Sequence, residues 1–208
     1  MTDHRDILEN VDKYYTEKVK THGTTHSGVD WNSLDSQNLR FDQLLKLVDG
    51  NQSFAINDYG CGYGALAGYL IEKRYQFTYR GFDISQEMID RGRALFESAP
   101  NCTFFTDPAQ LTTGDYTVAS GIFNVKMGFD TDRWKAYVHD TIRALAGCSK
   151  LGFAFNMLTA YSDADKMRSD LYYADPLYYF DYCRRTFSRH IALLHDYRLY
   201  EFTLLVRL

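Results

Sequence analysis

The chain has 208 residues, 45% hydrophobic and 24% charged, a composition that suits one globular domain with an appended segment and is long enough to bury a substantial core. A formal net charge of −4 supplies no general attraction for phosphate backbones, which counts against a nucleic-acid partner. Cys61, Cys102, Cys148 and Cys183 show no metal-ligand or disulfide spacing, and residues 1–10 lack the apolar run of an export signal, so a reduced, cytoplasmic protein with no metal and no membrane span is expected.

Along residues 6–20, Ile7, Leu8, Val11, Tyr14, Tyr15, Lys18 and Val19 fall near helical spacing, which predicts an amphipathic helix outside the main sheet. Residues 22–28 read as a loop, and residues 35–48 resume helical periodicity through Leu39, Leu44, Leu45 and Val48 before the Asp49-Gly50 turn. Residues 1–50 therefore form a helical preface and candidate lid, part of the same domain as residues 51–208. A strand at 54–58, a glycine-rich turn and a helix at 65–73 make the first βα unit. A second strand follows at 77–83, with Ser85 placed to cap a helix carrying Met88, Ile89 and Leu95. Strand candidates at 102–106, 116–120 and 151–158, with a helix at about 132–145, continue the alternation and imply a parallel sheet covered on both faces. After a helix at about 176–185, two apolar runs at 190–195 and 199–206 are separated by only about three residues. Such a connection is too short for a parallel crossover and predicts an antiparallel hairpin. The fold class is α/β: a Rossmann-like, mostly parallel seven-stranded sheet with helices on both faces.

The central chemical signal is Asp58-Tyr59-Gly60-Cys61-Gly62-Tyr63-Gly64. Glycine lets backbone turn sharply and approach a ligand, and the helix that follows presents free N–H groups. Asp83 ends the next strand 19 residues after Gly64, where its carboxylate can accept two hydrogen bonds from a ribose diol. Strand, glycine turn, helix and acid together describe a nucleoside site.

This pattern resembles the first motif of the class I S-adenosylmethionine-dependent methyltransferases, an acidic residue, one variable residue, then Gly-x-Gly-x-Gly, and the resemblance covers roughly residues 50–208. It implies S-adenosylmethionine as cofactor and a seventh strand antiparallel between the fifth and sixth. It also implies that Gly60, Cys61 and Gly62 approach the methionyl part and that Asp83, with Ile84 beside it, holds the ribose. Asp107, followed by Pro108, matches the contact to the adenine amino group, and Ser120, Gly121 and Ile122 match a segment passing beside the cofactor. A nicotinamide- or flavin-dependent oxidoreductase is the rival, because residues 60–65 also satisfy the looser G-x-G-x-x-G/A pattern. Asp58 counts against it, since an acid beside the loop repels a pyrophosphate but attracts a methionyl ammonium. Gly64 and the helical preface also favour the methyltransferase, while a non-catalytic adenosyl-binding module stays open.

Arg40, one turn beyond Ser36 and Gln37, is a candidate bidentate ligand for the methionyl carboxylate, and Trp31 is placed to cover the cofactor. Tyr14, Tyr15, Tyr161, Tyr172, Tyr173, Tyr178 and Tyr179 are candidate pocket walls. No catalytic residue is fixed; the candidates are His22 in the preface loop, His195 at the hairpin turn, and Asn124, which follows the fourth strand without the Asn/Asp-Pro-Pro-Tyr motif of many amine and base methylators. The expected partner is a small-molecule methyl acceptor modified at oxygen or nitrogen. The segment from His22 to Arg40 and the Tyr-rich tail are also similar to small bacterial methyltransferases of surface-sugar gene clusters, a likeness that leaves the acceptor open.

Overall fold

The computed structural model describes residues 4–25, 28 and 33–208. Its framework is a seven-stranded sheet built from β1 (Phe54–Tyr59), β2 (Phe77–Phe82), β3 (Cys102–Phe105), β4 (Gly114–Ala119), β5 (Ser149–Leu158), β6 (His190–Leu194) and β7 (Glu201–Arg207). The spatial order is β3-β2-β1-β4-β5-β7-β6. β1 pairs in parallel with both β2 and β4, so the strand order reverses there and opens a crevice beyond the strand ends. β7 runs antiparallel to β5 and β6, as the short hairpin predicts.

Two cores cover the two faces, and side-chain alternation assigns each residue to one of them. On one face Phe41, Leu44, Leu66 and Leu70 pack on Ile56, Tyr79 and Ala154. These helical residues come from α2 (Leu34–Leu45) and α3 (Ala65–Glu72). On the other face Trp134, Val138 and Ile142 of α5 (Thr131–Gly147) and Tyr179 of α6 (Pro176–Thr186) pack on Phe153, Phe155 and Leu204. Several helices start where the sequence supplies a cap: Ser33 and Ser36 form a capping box on α2, Ser85 caps α4 (Gln86–Leu95), and Asp175 caps α6 ahead of Pro176.

α1 (Arg5–His22) lies outside the sheet, as its amphipathic spacing predicts. It is anchored at both ends. Ile7 enters the α5/α6 core, Asp6 pairs with Arg133, and His4 meets Asp140 at 3.1 Å. Toward its other end Val19 packs with Tyr63 and Met88, and Thr16 Oγ1 lies 2.6 Å from Ser85 Oγ. The helix thus spans the crevice from α5 to α4.

Two details depart from the sequence reading. The hairpin connection runs from His195 to Tyr200, longer than expected, because β7 pairs only from Glu201 onward. Tyr197 folds back so that its hydroxyl sits 2.8 Å from Thr203 Oγ1. The connector between β5 and α6 holds a short 3-10 turn at Ala164–Lys166 and docks through the bridges Val125↔Leu171 and Thr159↔Ala174, so it packs beside the loop after β4.

Glu201 illustrates what the antiparallel strand contributes. Because β7 runs against β5, its first residue pairs with the last residue of β5, Leu158, and a buried carboxylate arrives at the edge where the parallel strands end. It accepts Arg40 Nε at 2.9 and 3.0 Å and Asn156 Nδ2 at 3.1 Å. Removing one partner of a buried ion pair leaves an uncompensated charge, so Glu201→Ala should lower unfolding free energy by about 3–5 kcal/mol. Replacing Arg40 and Glu201 together with methionine should cost far less; urea denaturation of the two variants checks the difference.

Candidate functional site

The crevice beyond β1, β2 and β4 contains a cavity of ≈ 340 Å³, within the range of about 300–1,000 Å³ common for small-molecule sites. Asp58, Gly60, Cys61, Gly62, Asp83, Ile84, Pro108, Ser120, Gly121 and Ile122 all line it, which brings together ten of the thirteen sequence-derived cofactor positions. Trp31 lies outside the described residues. Arg40 and Asp107 are placed elsewhere.

The glycine loop is held by backbone geometry. Gly60 and Cys61 both donate to Phe82 O, at 2.7 and 2.9 Å, and Gly62 N donates to Asp83 Oδ2 at 2.8 Å. Gly60, Gly62 and Gly64 all have positive φ, at 79°, 55° and 87°. The reason for glycine differs along the loop: a Cβ at Gly60 would stand 2.2 Å from Ile122 Cγ2, so that position serves close packing of the β4 loop. No side chain caps α3, whose N-cap is Gly64.

Two carboxylates sit in this cavity and both are shifted toward neutrality. Burial raises Asp58 to about 7, opposed by the Tyr79 hydroxyl that donates to it at 2.8 Å and reinforced by the charge of Asp83. Burial likewise raises Asp83 to about 6, while the backbone N–H groups of Ser85 and Gly62 pull it down. Each Asp83 oxygen accepts one of those N–H bonds, Oδ1 from Ser85 and Oδ2 from Gly62, and keeps a lone pair for a further donor. Burial raises the Cys61 thiol well above its usual value, so it forms a neutral part of the wall. Ser120 Oγ is buried beside the cavity and has no hydrogen-bond partner among the described residues. A pair of acids, an orphaned hydroxyl and apolar flanks from Ile84, Met88 and Pro108 fit an adenosyl group with a cationic tail.

The sequence reading names residues 1–50 as a candidate lid and Tyr15 as a pocket wall, but not the other residues that roof the cavity. Leu8, Val11 and Tyr15 of α1 and Gln37 and Phe41 of α2 close this cavity, together with Tyr137 of α5. For Leu8 and Val11 the signal was the apolar stripe of α1, which did not say which of its residues face the cavity.

A second cavity of ≈ 330 Å³ adjoins the first, and Tyr15 and Gly121 line both. Its wall includes Asn124, Leu158, Ser162, Tyr173, Tyr200 and Glu201. Arg40 belongs here, and its bidentate carboxylate is Glu201 of β7, while its Nη1 donates to Ser36 O at 2.8 Å. Rather than facing the first cavity, where a methionyl carboxylate was expected, the guanidinium is buried in an internal ion pair. Asp107 is exposed and its Oδ1 caps the 3-10 turn at Pro108–Gln110 by accepting from Ala109 N at 2.9 Å, so Thr106 and Pro108 reach the first cavity in its place.

Of the catalytic candidates, Asn124 alone lines a cavity, with its Oδ1 accepting from Leu158 N at 3.2 Å. His22 is the exposed last residue of α1, and His195 is exposed at the hairpin turn with its ring 6.0 Å from Tyr161. Of the tyrosines named as candidates from the sequence, Tyr15 and Tyr173 reach the site. Tyr172 and Tyr179 instead share a buried hydroxyl contact of 3.0 Å, Tyr178 stacks near His139, Tyr161 is exposed, and Tyr14 packs edge-on against Tyr15.

Comparison with known proteins gives this geometry a context. Residues 56–147 match a family model described as a methyltransferase domain. The chain is 48% identical over 163 residues to the Mycobacterium tuberculosis protein named "Putative methyltransferase Rv1506c", covering 78% of this chain and 98% of that one. Magnesium protoporphyrin IX methyltransferase from Synechocystis PCC 6803, solved with bound SAH, aligns over 99% of both chains at TM-score 0.70 and 16% identity. Human N-acetylserotonin methyltransferase in complex with SAM aligns over 99% of this chain and 60% of its own at TM-score 0.68 and 12% identity. These two structures share the fold.

The raised carboxylates generate a pH test. In the folded protein Asp58 and Asp83 hold protons that the unfolded chain has released, so their burial lowers stability progressively as pH rises from about 4 to about 7. A ligand with an ammonium group and a ribose diol favours the ionised forms. S-adenosylhomocysteine should therefore bind more weakly as pH falls from 8 to about 5.5, by up to tenfold per unit where one proton is released. Calorimetry in buffers of different ionisation enthalpy should detect proton release near pH 6.5 and little at pH 8.5.

Proposed function

The chain belongs to the class I S-adenosylmethionine-dependent methyltransferases, and from that premise we propose that it methylates an oxygen or nitrogen atom of a small molecule held in the second cavity. The observation that carries this reading is the adjacency of two cavities of similar size across Tyr15 and Gly121, one carrying the nucleoside-type acids and the other amide and hydroxyl groups. The bound cofactor supplies an electrophilic methyl group on a positively charged sulfur. Asp83 offers its two carboxylate oxygens to the ribose diol, Asp58 and the Gly60–Gly62 backbone face the methionyl end, and Ser120 Oγ offers a further polar contact. Tyr15, at the junction, presents an aromatic ring where the positive charge is transferred away.

The chain's contribution to rate under this reading is positioning and exclusion of water. In-line displacement gains most from holding donor and acceptor in a near-attack geometry, and α1 covers the crevice with Leu8, Val11 and Tyr15. Asn124 orients the acceptor from the far wall. The experiment that tests the function is transfer of label from S-adenosylmethionine across a panel of sugars, amines and phenolic or carboxylic acids. Asp83→Ala should weaken S-adenosylhomocysteine binding at least tenfold, since each lost hydrogen bond to a charged group is worth about 1.5–3 kcal/mol. Unchanged binding would remove Asp83 from the site.

The preface is also read as a cofactor-responsive lid. Its polar anchors, Asp6–Arg133 and His4–Asp140, are at most partly buried and contribute little individually, while its apolar face looks into the cavity. Hydrogen exchange across residues 5–22 should slow when S-adenosylhomocysteine binds. Equal protection with and without the ligand would make α1 fixed packing.

A further inference from the structure

We infer that Thr16 of α1, backed by Asp12, is a positioning residue for cofactor binding: its hydroxyl registers the lid helix on the loop that carries Asp83, so that occupation of the ribose half of the site, rather than the methionyl half, sets closure. The inference rests on the cofactor-responsive lid proposed above.

Helical spacing gives α1 two adjoining stripes. Leu8, Val11 and Tyr15 make one of them and line the first cavity. Asp12, Thr16 and Val19 make the other, and its last two members meet α4: Thr16 Oγ1 stands 2.6 Å from Ser85 Oγ, and Val19 packs with Met88. Ser85 is the N-cap of α4 and accepts from Met88 in its first turn, so a polar rung and an apolar rung lie side by side on both helices. Two matched rungs fix α1 in rotation as well as in position. Tyr15, next to Thr16 in the chain, is thereby held at the junction of the two cavities.

Counting protons gives the polar rung a direction. Thr16 Oγ1 donates to Asp12 Oδ1 at 3.0 Å, and a hydroxyl has one proton to give, so Ser85 supplies the proton of the 2.6 Å contact. Ser85 Oγ in turn accepts from Met88 N at 3.4 Å. The bonds therefore run in one sense, from the first turn of α4 through Ser85 and Thr16 to a carboxylate on the lid. Ser85 is fully buried, and its backbone N–H donates to Asp83 Oδ1 at 2.9 Å, so the residue gripped by the lid also orients the ribose acid. Ile84, between the two, lines the cavity. Asp12 stands close enough for its charge to add to burial in raising Asp83.

Ordering of one loop links the two events. A ribose diol that donates to Asp83 fixes a carboxylate already held by the N–H groups of Ser85 and Gly62, and a fixed Ser85 presents its hydroxyl to Thr16 in one position. Lid and ligand each spare the other part of the entropy of ordering residues 83–85, and the coupling is reciprocal: the ligand that closes the lid is released more slowly because the lid is closed. The methionyl half, facing Asp58 and the Gly60–Gly62 backbone, adjoins α1 differently, through the apolar packing of Val19 with Tyr63. Removing the Thr16 hydroxyl leaves that packing in place.

The test is hydrogen exchange over residues 5–22 of the full chain, free and with S-adenosylhomocysteine or with 5′-methylthioadenosine, which keeps the nucleoside and lacks the amino-acid tail. Both ligands should slow exchange in the wild type. Thr16→Val, alike in shape but without the hydroxyl, should lose most of that slowing and release S-adenosylhomocysteine about fivefold faster or more, while Thr16→Ser should behave as the wild type. Circular dichroism establishes that each variant is folded, and Thr16→Ala takes the place of Thr16→Val if valine unfolds the chain. Three results would overturn the inference and leave the lid reading standing: slowing by S-adenosylhomocysteine with none by 5′-methylthioadenosine at any soluble concentration, wild-type slowing and release without the hydroxyl, or equal losses in Thr16→Ser. No slowing of the wild type by either ligand would overturn both. Failure of the wild type to bind S-adenosylhomocysteine would strike the cofactor reading beneath them.

Discussion

One buried carboxylate ties the scaffold to its site. Glu201 draws α2 to the sheet through Arg40 and holds Asn156 of β5, whose Oδ1 in turn accepts Gly121 N at 2.7 Å. Gly121, with φ 76°, is the turn that separates the two cavities, so the wall between them is set by a chain of bonds running from the preface helix across β7 and β5 to the end of β4. A buried pair of this kind gives little net stability against an apolar substitute, and its value lies in fixing one geometry, since misplacing any member strands a charge or an amide. The antiparallel β7 makes this arrangement available, because a parallel strand would carry its first residue to the opposite edge of the sheet.

The glycine-loop cavity works by a different balance. Desolvation pushes Asp58 and Asp83 up, the charge of Asp83 adding to the first and that of Asp12 to the second, and Tyr79 with the backbone donors of Gly62 and Ser85 pull them back. The fold thereby avoids holding two full buried charges there.

What could be read from the sequence follows from how far apart the interacting residues lie. The βαβ unit from Phe54 to Asp83 was legible because strand, turn, helix and acid are adjacent in the chain, and the hairpin was legible because its connection is short. Residues 161 apart were not: Arg40 shows a cation on a helix, and nothing nearby says that Glu201 will meet it. Asp107 shows the converse, since a motif position suggested a ligand contact while the structure has its carboxylate capping the adjacent backbone. The preface was legible as a lid, but which of its residues face the cavity was not, because an amphipathic stripe such as Leu8 and Val11 announces burial without naming what it buries against.

The connector between β5 and α6 divides labour in the molecule. It supplies much of the second cavity from residues 159–173 while contributing no strand to the sheet and only a few residues to the cores, and it is fastened by two isolated bridges. The first cavity draws instead on strand ends and on helices committed to packing. Sequence drift in the connector can therefore change what the second cavity admits without disturbing the first. Exchange of this segment between homologues is a compact route to new selectivity on an unaltered scaffold.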